Sequence, residues 1–199
     1  MPTAETFSGL QNYIDGLSKT GFLSAFGWSI FITFFSTIVI VLFTSMTGWY
    51  ITRAKNKVST ALYFIFVFSM IVPFQMVMFT MSKVANMLNL DNPVGLIVLY
   101  IGFGAGLSIF MFSGFVKSIP IDIEEAALID GCNPIKTFFL IVLPLLKPIC
   151  ITVAILNVMW IWNDYLLPSL VLKSDYKTIP MAVQYLRGGY GAIDMGAMM

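Results

Sequence analysis

The stretch FITFFSTIVIVLF, residues 31–43, decides the fold class, because it has no charge and no strict alternation of polar and apolar side chains. It lies inside a charge-free run over residues 20–52. About 20 apolar residues in a helix cross a bilayer, where only helices and closed barrels satisfy their backbone hydrogen bonds. Since the alternating pattern of a barrel strand is missing, we predict a membrane-spanning helix here.

Three further charge-free runs are long enough to cross a membrane: residues 58–82, 92–116 and 148–163, the last of which resumes after Asp164. The sequence therefore predicts an all-α, polytopic membrane protein with four transmembrane helices. Pro73 is expected to kink the second helix. Gly102 and Gly106 are one helical turn apart, and we expect them to let another helix approach the third.

Composition excludes several classes of function. The chain has 199 residues, of which 58% are hydrophobic and 11% charged, and a net charge of +1. It is too apolar for an ordinary soluble domain and lacks the basic surface that binds nucleic acid. It has no histidine, and its 2 cysteines, Cys132 and Cys150, are far apart. This set supplies neither a metal site nor a Cys-His nucleophile, so we expect no metal, no cofactor and no catalytic residue.

The orientation in the membrane is predicted from the basic residues near the helix ends, which favour the cytosol. Three of the five residues in the segment 53–57 are basic, and this density places the turn between the first two spans on the cytosolic side. The cytosolic basic residues are then Arg53, Lys55, Lys57, Lys117, Lys136 and Lys147. Both ends of the chain are expected outside.

One long cytosolic loop, residues 117–148, carries helix signals in the order start, stop and start. Ser118 or Asp122 can cap a first short helix, and Gly131 can end it in a left-handed conformation. Asn133 and Pro134 then begin a second helix. This helix-turn-helix fits two interpretations equally well: a docking element for another protein, or an amphipathic connector on the membrane surface.

The same loop carries a family motif: Glu125, Ala126, Ala127, Gly131, Ile141, Leu143 and Pro144 occur at the spacing of the EAA loop. A second segment, WNDYLLPSLVL at residues 162–172, agrees with the same family. On these motifs the chain is identified as a member of the binding-protein-dependent ABC transporter permeases. It resembles those of the carbohydrate-uptake type, similar to the maltose-system MalG subunit.

The resemblance implies a role for each part of the chain. Residues 1–199 would form a multi-pass permease domain in the cell membrane, incomplete at both ends because such permeases usually have six spans. Residues 117–148 would dock on a separate ATPase. The residues expected to couple to it are Glu124, Glu125, Ala126, Ala127, Asp130, Gly131, Ile141, Leu143 and Pro144.

Partners are also implied by the resemblance. We expect a second permease subunit, two ATPase subunits that bind ATP and Mg²⁺, and an extracellular or periplasmic solute-binding protein, all assembled in membrane lipid. The chain itself has no P-loop and is not expected to be an enzyme. The segment before the last family helix would contact the solute-binding protein through Gln184, Arg187, Gly188, Gly189, Tyr190 and Gly191.

A polar and aromatic stripe marks the fourth span. Asn157, Trp160 and Asp164 follow helical spacing, and with Asn163 they are candidates for a sugar translocation path. For Asn157, lining of the path is slightly favoured over a purely structural role. Trp162 fits an interfacial aromatic belt better. Asp164 fits a gate or a helix-end contact as well as it fits a ligand.

The predicted function is that of a membrane-spanning permease subunit of an ATP-driven importer of sugars, with di- or oligosaccharides preferred. One alternative is a self-contained channel or secondary transporter, although the spans lack inverted repeats and buried ions for coupling. Another is an ABC permease for a different solute, such as glycerol phosphate. No basic cluster in the spans would hold a phosphate, which favours neutral sugars.

Overall fold

The computed structural model describes Leu17 and residues 21–186, and every regular element among them is helical. The helices are α1 (Phe22–Ala54), α2 (Lys57–Ser69), α3 (Phe74–Met87), α4 (Pro93–Val116), α5 (Ile121–Ile129) and α6 (Pro134–Thr137). A π-helix (Phe138–Val142), α7 (Leu143–Leu145), α8 (Lys147–Asn163), α9 (Leu166–Val171) and α10 (Ile179–Leu186) follow. The prediction of an all-α fold is confirmed.

Side-chain caps fix where two of the long helices begin. At the start of α2, Asn56 Oδ1 accepts a hydrogen bond from the backbone N–H of Ser59 at 2.7 Å. In return, the backbone N–H of Asn56 donates to Ser59 Oγ at 3.1 Å. At the start of α4, the Asn92 side chain accepts from the amide of Gly95 at 2.9 Å. These caps satisfy amides that have no partner within the helix.

The packing of α1 along α4 is the most extensive contact between two of the described helices. Small residues bring the two backbones together. A Cβ added at Gly48 of α1 would lie 2.8 Å from the Cβ of Phe112, and one added at Gly104 of α4 would lie 2.9 Å from Cδ1 of Ile40. A larger side chain at either position would push the helices apart.

Three hydrophobic clusters of buried residues fill the described bundle, and the two larger ones lie towards its opposite ends. One contains Ile40, Leu96 and Tyr100, together with Leu167 and Val171 of α9. The other joins α4 to the segment after α5, through Phe112, Val116, Phe138, Val142, Leu146 and Val153. The π-helix therefore has a packing role, because Phe138 and Val142 at its two ends are both buried.

The four predicted spans are of two kinds in the structure. By length and composition, α1 and α4 can each cross a membrane as a single helix. The other two are bent pairs: α2 with α3 at 104°, and the helical segment Pro134–Leu145 with α8 at 77°. The described part of the chain therefore contains two unbroken candidate spans, or four if each bent pair is one span.

The break at Pro73 is larger than the predicted kink. Pro73 has an extended backbone and is the N-cap of α3, and α2 has already ended at Ser69. Proline supplies no amide hydrogen and disfavours a helical residue before it, so the chain turns here instead of bending slightly. Correspondingly, Ser82 of α3 reaches α9, where its hydroxyl donates to the carbonyl of Leu170 at 2.7 Å.

The bundle has one ion pair at each of its two ends among the described residues. At one end, Arg53 at the close of α1 meets Glu124 of α5. At the other, the Lys173 ammonium lies 2.9 Å from Asp91 Oδ2, and its hydrogen bond to this carboxylate raises the pKa of Lys173. This arrangement agrees with the predicted sidedness, in which the turn after α1 and the loop that contains α5 share one side.

We predict that Gly106→Val destabilises the fold whereas Gly102→Val does not. A Cβ at Gly106 would lie 2.7 Å from both the Phe66 carbonyl oxygen and the Ser69 hydroxyl of α2, while one at Gly102 has no atom within 4 Å. Overpacking of this kind costs about 1–3 kcal/mol. Thermal unfolding in detergent measures the difference, and equal melting temperatures for the two variants would contradict the α2–α4 contact.

Candidate functional site

The short helix α5 departs from the sequence prediction at its start and agrees with it at its end. Pro120 is its N-cap and no side chain caps it, so the expected cap from Ser118 or Asp122 is wrong. The Ser118 hydroxyl donates instead to the carbonyl of Phe115 at 2.7 Å. The end is as predicted, because Gly131 has a φ of 82° in the left-handed region and terminates the helix.

Glu124 attaches α5 to the end of α1. Its side chain is buried and accepts hydrogen bonds from Trp49 Nε1 at 2.9 Å and from Arg53 Nε and Nη2 at 3.0 and 2.8 Å. Arg53 Nη2 also donates to the carbonyl of Ile119 at 2.9 Å. We call this arrangement the Glu124 contact. Every oxygen of the carboxylate has a donor, so the buried charge is compensated.

The family motif implies a coupling role for Glu124, but the sequence gives little indication of its contact with α1. Trp49 and Arg53 are four residues apart and therefore share a face of α1. That spacing is the only local signal, because the partner is more than 70 residues away in the chain. The structure thus turns Glu124 inward, towards its own first span.

The opposite face of α5 is open to solvent. Glu125 and Ala126 are exposed, Ile129 has 87% of its surface exposed, and Asp130 and Gly131 are exposed as well. Ala127 faces inward with 4% exposure. A cleft of about 280 Å³ runs beside α5, and its lining includes Trp49, Glu124, Glu125, Leu128, Pro134 and Thr137. The residues predicted to couple to a partner are therefore divided between an outward face and an inward contact.

The second half of the loop continues into the fourth span. Asn133 caps α6 by accepting a hydrogen bond from the Lys136 amide at 2.8 Å, and Pro134 is the first helical residue, as predicted. Ile141 and Leu143 are half-buried and Pro144 is exposed. Beyond Pro144 the chain bends before α8. Ile141, Leu143 and Pro144 thus lie on the connection between α5 and the fourth span.

Asn157 and Trp160 share a cavity of about 280 Å³ between α4 and α8. Asn157 is buried, and its amide donates to the carbonyl of Val153 at 2.8 Å and to Ser108 Oγ at 3.3 Å. Trp160 remains 40% exposed and meets the Tyr100 ring edge to face, with 5.3 Å between centroids. The other lining residues are Met70, Phe103, Gly104, Leu107 and Leu156.

Asp164 occupies a helix end. Its Oδ1 accepts from the amides of Leu166 and Leu167 at 3.0 and 3.4 Å, which caps α9. Its Oδ2 accepts from the Tyr100 hydroxyl at 3.0 Å. Of the alternatives left open by the sequence, the structure shows the helix-end contact. Asn163 is exposed, and its amide donates back to the carbonyl of Met159 at 2.7 Å.

Only part of the segment expected to contact the solute-binding protein lies within the described residues. Gln184 is exposed in the last turns of α10. The other residues of the set lie outside the described part of the chain: Arg187, Gly188, Gly189, Tyr190 and Gly191. Near the start of α10, the Ile179 amide donates to Ser29 Oγ of α1 at 2.8 Å, which fixes this helix to the first span. Within residues 21–186, no group of three metal-ligating side chains occurs.

A bundle of apolar helices, two of which can each cross a membrane unbroken, defines a multi-pass membrane protein, and the short helix α5 is fixed to one end of this bundle. Residues 40–191 match the family described as binding-protein-dependent transport system inner membrane component, and the chain belongs to this family. The family resemblance, the all-α polytopic fold and the location in the cell membrane are thereby confirmed.

Three similar proteins illustrate the relationship. The chain is 41% identical over 182 residues to the probable starch degradation products transport system permease protein AmyC of Thermoanaerobacterium thermosulfurigenes, covering 91% of this chain and 66% of AmyC. It is 34% identical over 186 residues to the multiple sugar-binding transport system permease protein MsmG of Streptococcus mutans, covering 91% and 67%. A crystal structure of a bacterial ABC transporter involved in the import of alginate matches with a TM-score of 0.75 and 25% identity, covering 88% of this chain and 61% of that chain.

The chain spans about two thirds of the length of these curated relatives. The residues matched by the family include the segment from α4 to α8, in which the predicted EAA loop and the α4–α8 cavity lie. The substrate and the partners of the whole protein are therefore proposals.

We predict that Glu124→Gln destabilises the protein by about 2 kcal/mol, because it leaves the partly buried Arg53 guanidinium without its counter-charge. A matched control is Lys173→Gln, which removes the ion pair with Asp91 at the opposite end of the bundle. The Lys173 side chain is 61% exposed, so little stability is lost with this ion pair. The melting temperature of this control variant is expected to equal that of the wild type. Thermal unfolding of both variants in detergent tests this, and a similar drop in each would refute a special role for the Glu124 contact.

Proposed function

We propose that this chain is the membrane-spanning permease subunit of an ATP-driven importer of sugars. The observation that carries the proposal is the division of α5 into an outward face available to another protein and an inward contact that fixes it to α1. An element that receives motion from outside and passes it on needs both. Family membership supports the same role.

The substrate class is inferred from relatives. AmyC and MsmG are named for starch degradation products and multiple sugars, and a further relative, 33% identical over 161 residues, is the melibiose/raffinose/stachyose import permease protein MelC of Bacillus subtilis. We therefore propose di- or oligosaccharides as substrates. The cavity that contains Asn157 and Trp160 supports this choice, because an aromatic face beside an amide suits a hydroxylated ring.

The proposed assembly contains a second permease chain, two ATPase subunits and a solute-binding protein. ATP and Mg²⁺ would bind to the ATPase subunits. Closure of these subunits would move α5 through Glu125, Ala126, Ile129 and Gly131, and the Glu124 contact would transfer the movement to α1. α1 is 33 residues long, and as one continuous helix it would transmit that displacement along the bundle.

We predict that Gly131→Val abolishes ATP-driven uptake while the protein remains inserted in the membrane. The φ of 82° at Gly131 is unfavourable for a β-branched residue, so the exit from α5 changes direction. Gly114→Val is the matched control: neither glycine has an atom within 4 Å of an added Cβ, but only Gly131 has a positive φ. Membrane abundance and sugar uptake by the complete complex are measured together. Wild-type uptake in Gly131→Val would argue against a coupling role.

Contact with an ATPase is tested by cross-linking from α5. In a chain with Cys132 and Cys150 replaced by serine, Ile129→Cys is expected to capture a nucleotide-hydrolysing subunit because Ile129 is 87% exposed on the outward face. Met87→Cys at the end of α3 is similarly exposed at 72% and serves as the control. Capture from Met87 alone would contradict docking on α5, and uptake that does not require ATP would favour a channel or secondary transporter.

We predict that Trp160→Ala raises the half-saturating sugar concentration for uptake about fivefold, since it removes an exposed aromatic face from the α4–α8 cavity. Trp162→Ala is the control, because Trp162 packs edge to face against Phe26 at 6.1 Å and does not line that cavity. Uptake kinetics at constant protein abundance make the comparison. Equal effects of the two substitutions would remove the support for a path at Trp160.

A further inference from the structure

A second cavity, of about 440 Å³, opens between the ends of α1, α2 and α4 on the side of the bundle where α5 lies. It is separate from the α4–α8 cavity and from the outward face of α5. Its volume is in the range of small-ligand sites. The side chains that determine its chemistry are Arg53, Lys55, Lys117, Tyr63, Phe64 and Ile51.

The cavity carries positive charge that the described residues do not neutralise. No carboxylate lines it. Arg53 is paired with Glu124, but neither Lys55 nor Lys117 forms an ion pair within residues 21–186. Lys117 Nζ lies 5.9 Å from the centroid of the Tyr63 ring, and the Tyr63 hydroxyl makes no hydrogen bond in this part of the chain. Two ammonium groups and a phenol are therefore available to an anion with several oxygen acceptors.

The other wall of the cavity is apolar and continues onto the surface of α2. Phe64 is 63% exposed at the cavity. Along the same helix Val58, Ile65 and Phe68 are 68%, 63% and 64% exposed. A ligand that placed an anionic group between the lysines would thus have an apolar helix surface directly beside it. This combination matches an amphiphile better than a fully water-soluble anion.

We propose that this cavity binds the phosphodiester headgroup of an anionic phospholipid, with Lys55 and Lys117 as its counter-ions and the acyl chains along α2. Basic cavities between transmembrane helices near one membrane surface recognise anionic lipid headgroups in this way. The proposal does not depend on the sugar or on the ATPase, because binding is a property of this chain in a lipid environment.

The test is a lipid titration of the full chain, purified in a nonionic detergent and followed by native mass spectrometry. Phosphatidylglycerol and phosphatidylcholine with identical acyl chains are compared, and inorganic phosphate is added as a competitor. The variants are Lys55→Gln, Lys117→Gln, the double variant and Lys117→Arg. Lys83→Gln is the matched control, since Lys83 is an exposed lysine of α3 that does not line the cavity.

We expect the wild type to prefer phosphatidylglycerol, and each single glutamine variant to weaken that binding about fivefold, with about 25-fold for the double variant. Lys117→Arg and Lys83→Gln should bind like the wild type, and phosphatidylcholine binding should be the same in all. Added salt should weaken the preference. The proposal is overturned if the double variant keeps wild-type affinity, if Lys83→Gln loses as much, or if inorganic phosphate displaces the lipid at equal concentration.

Discussion

The close packing of α1 against α4 is the contact on which the rest of the bundle depends. In lipid there is little hydrophobic gain from bringing two apolar helices together, so association relies on tight packing and on polar contacts. Gly48 and Gly104 allow this approach. Other helices pack against one or both members of this pair: α2 against α4, α8 against both, and α10 against α1. Each additional element thus uses a surface that exists only when α1 and α4 are in register.

The Glu124 contact connects that pair to α5. A carboxylate with three donated hydrogen bonds, two of them from one guanidinium, holds α5 in a single orientation relative to α1. The π-helix adds a second attachment, because Phe138 and Val142 pack into the same cluster as Phe112 and Val116 of α4. α5 and the segment that follows it are therefore attached to both members of the central pair, to α1 through polar contacts and to α4 through apolar packing.

The sequence predicted those features whose cause is local. Charge-free runs located the helices, and Gly131 and Asn133 marked the turn after α5, because a left-handed residue and a capping side chain act within a few positions. The contacts of the Glu124 carboxylate and of Asp164 Oδ2 could not be predicted in this way. Their partners, Arg53 and Tyr100, are more than 60 residues away, and only the folded bundle brings them together.

The polar groups of the proposed path already have partners inside the protein. Asn157 donates to Val153 and Ser108, and Asp164 accepts from Tyr100 and two amides, so a sugar would exchange hydrogen bonds there without gaining many. The group that offers a new contact is the exposed face of Trp160. Passage requires binding that is weak enough to be reversed. An interior with satisfied polar groups and an exposed aromatic face meets that requirement, and strong discrimination between sugars would then fall to the proposed solute-binding protein.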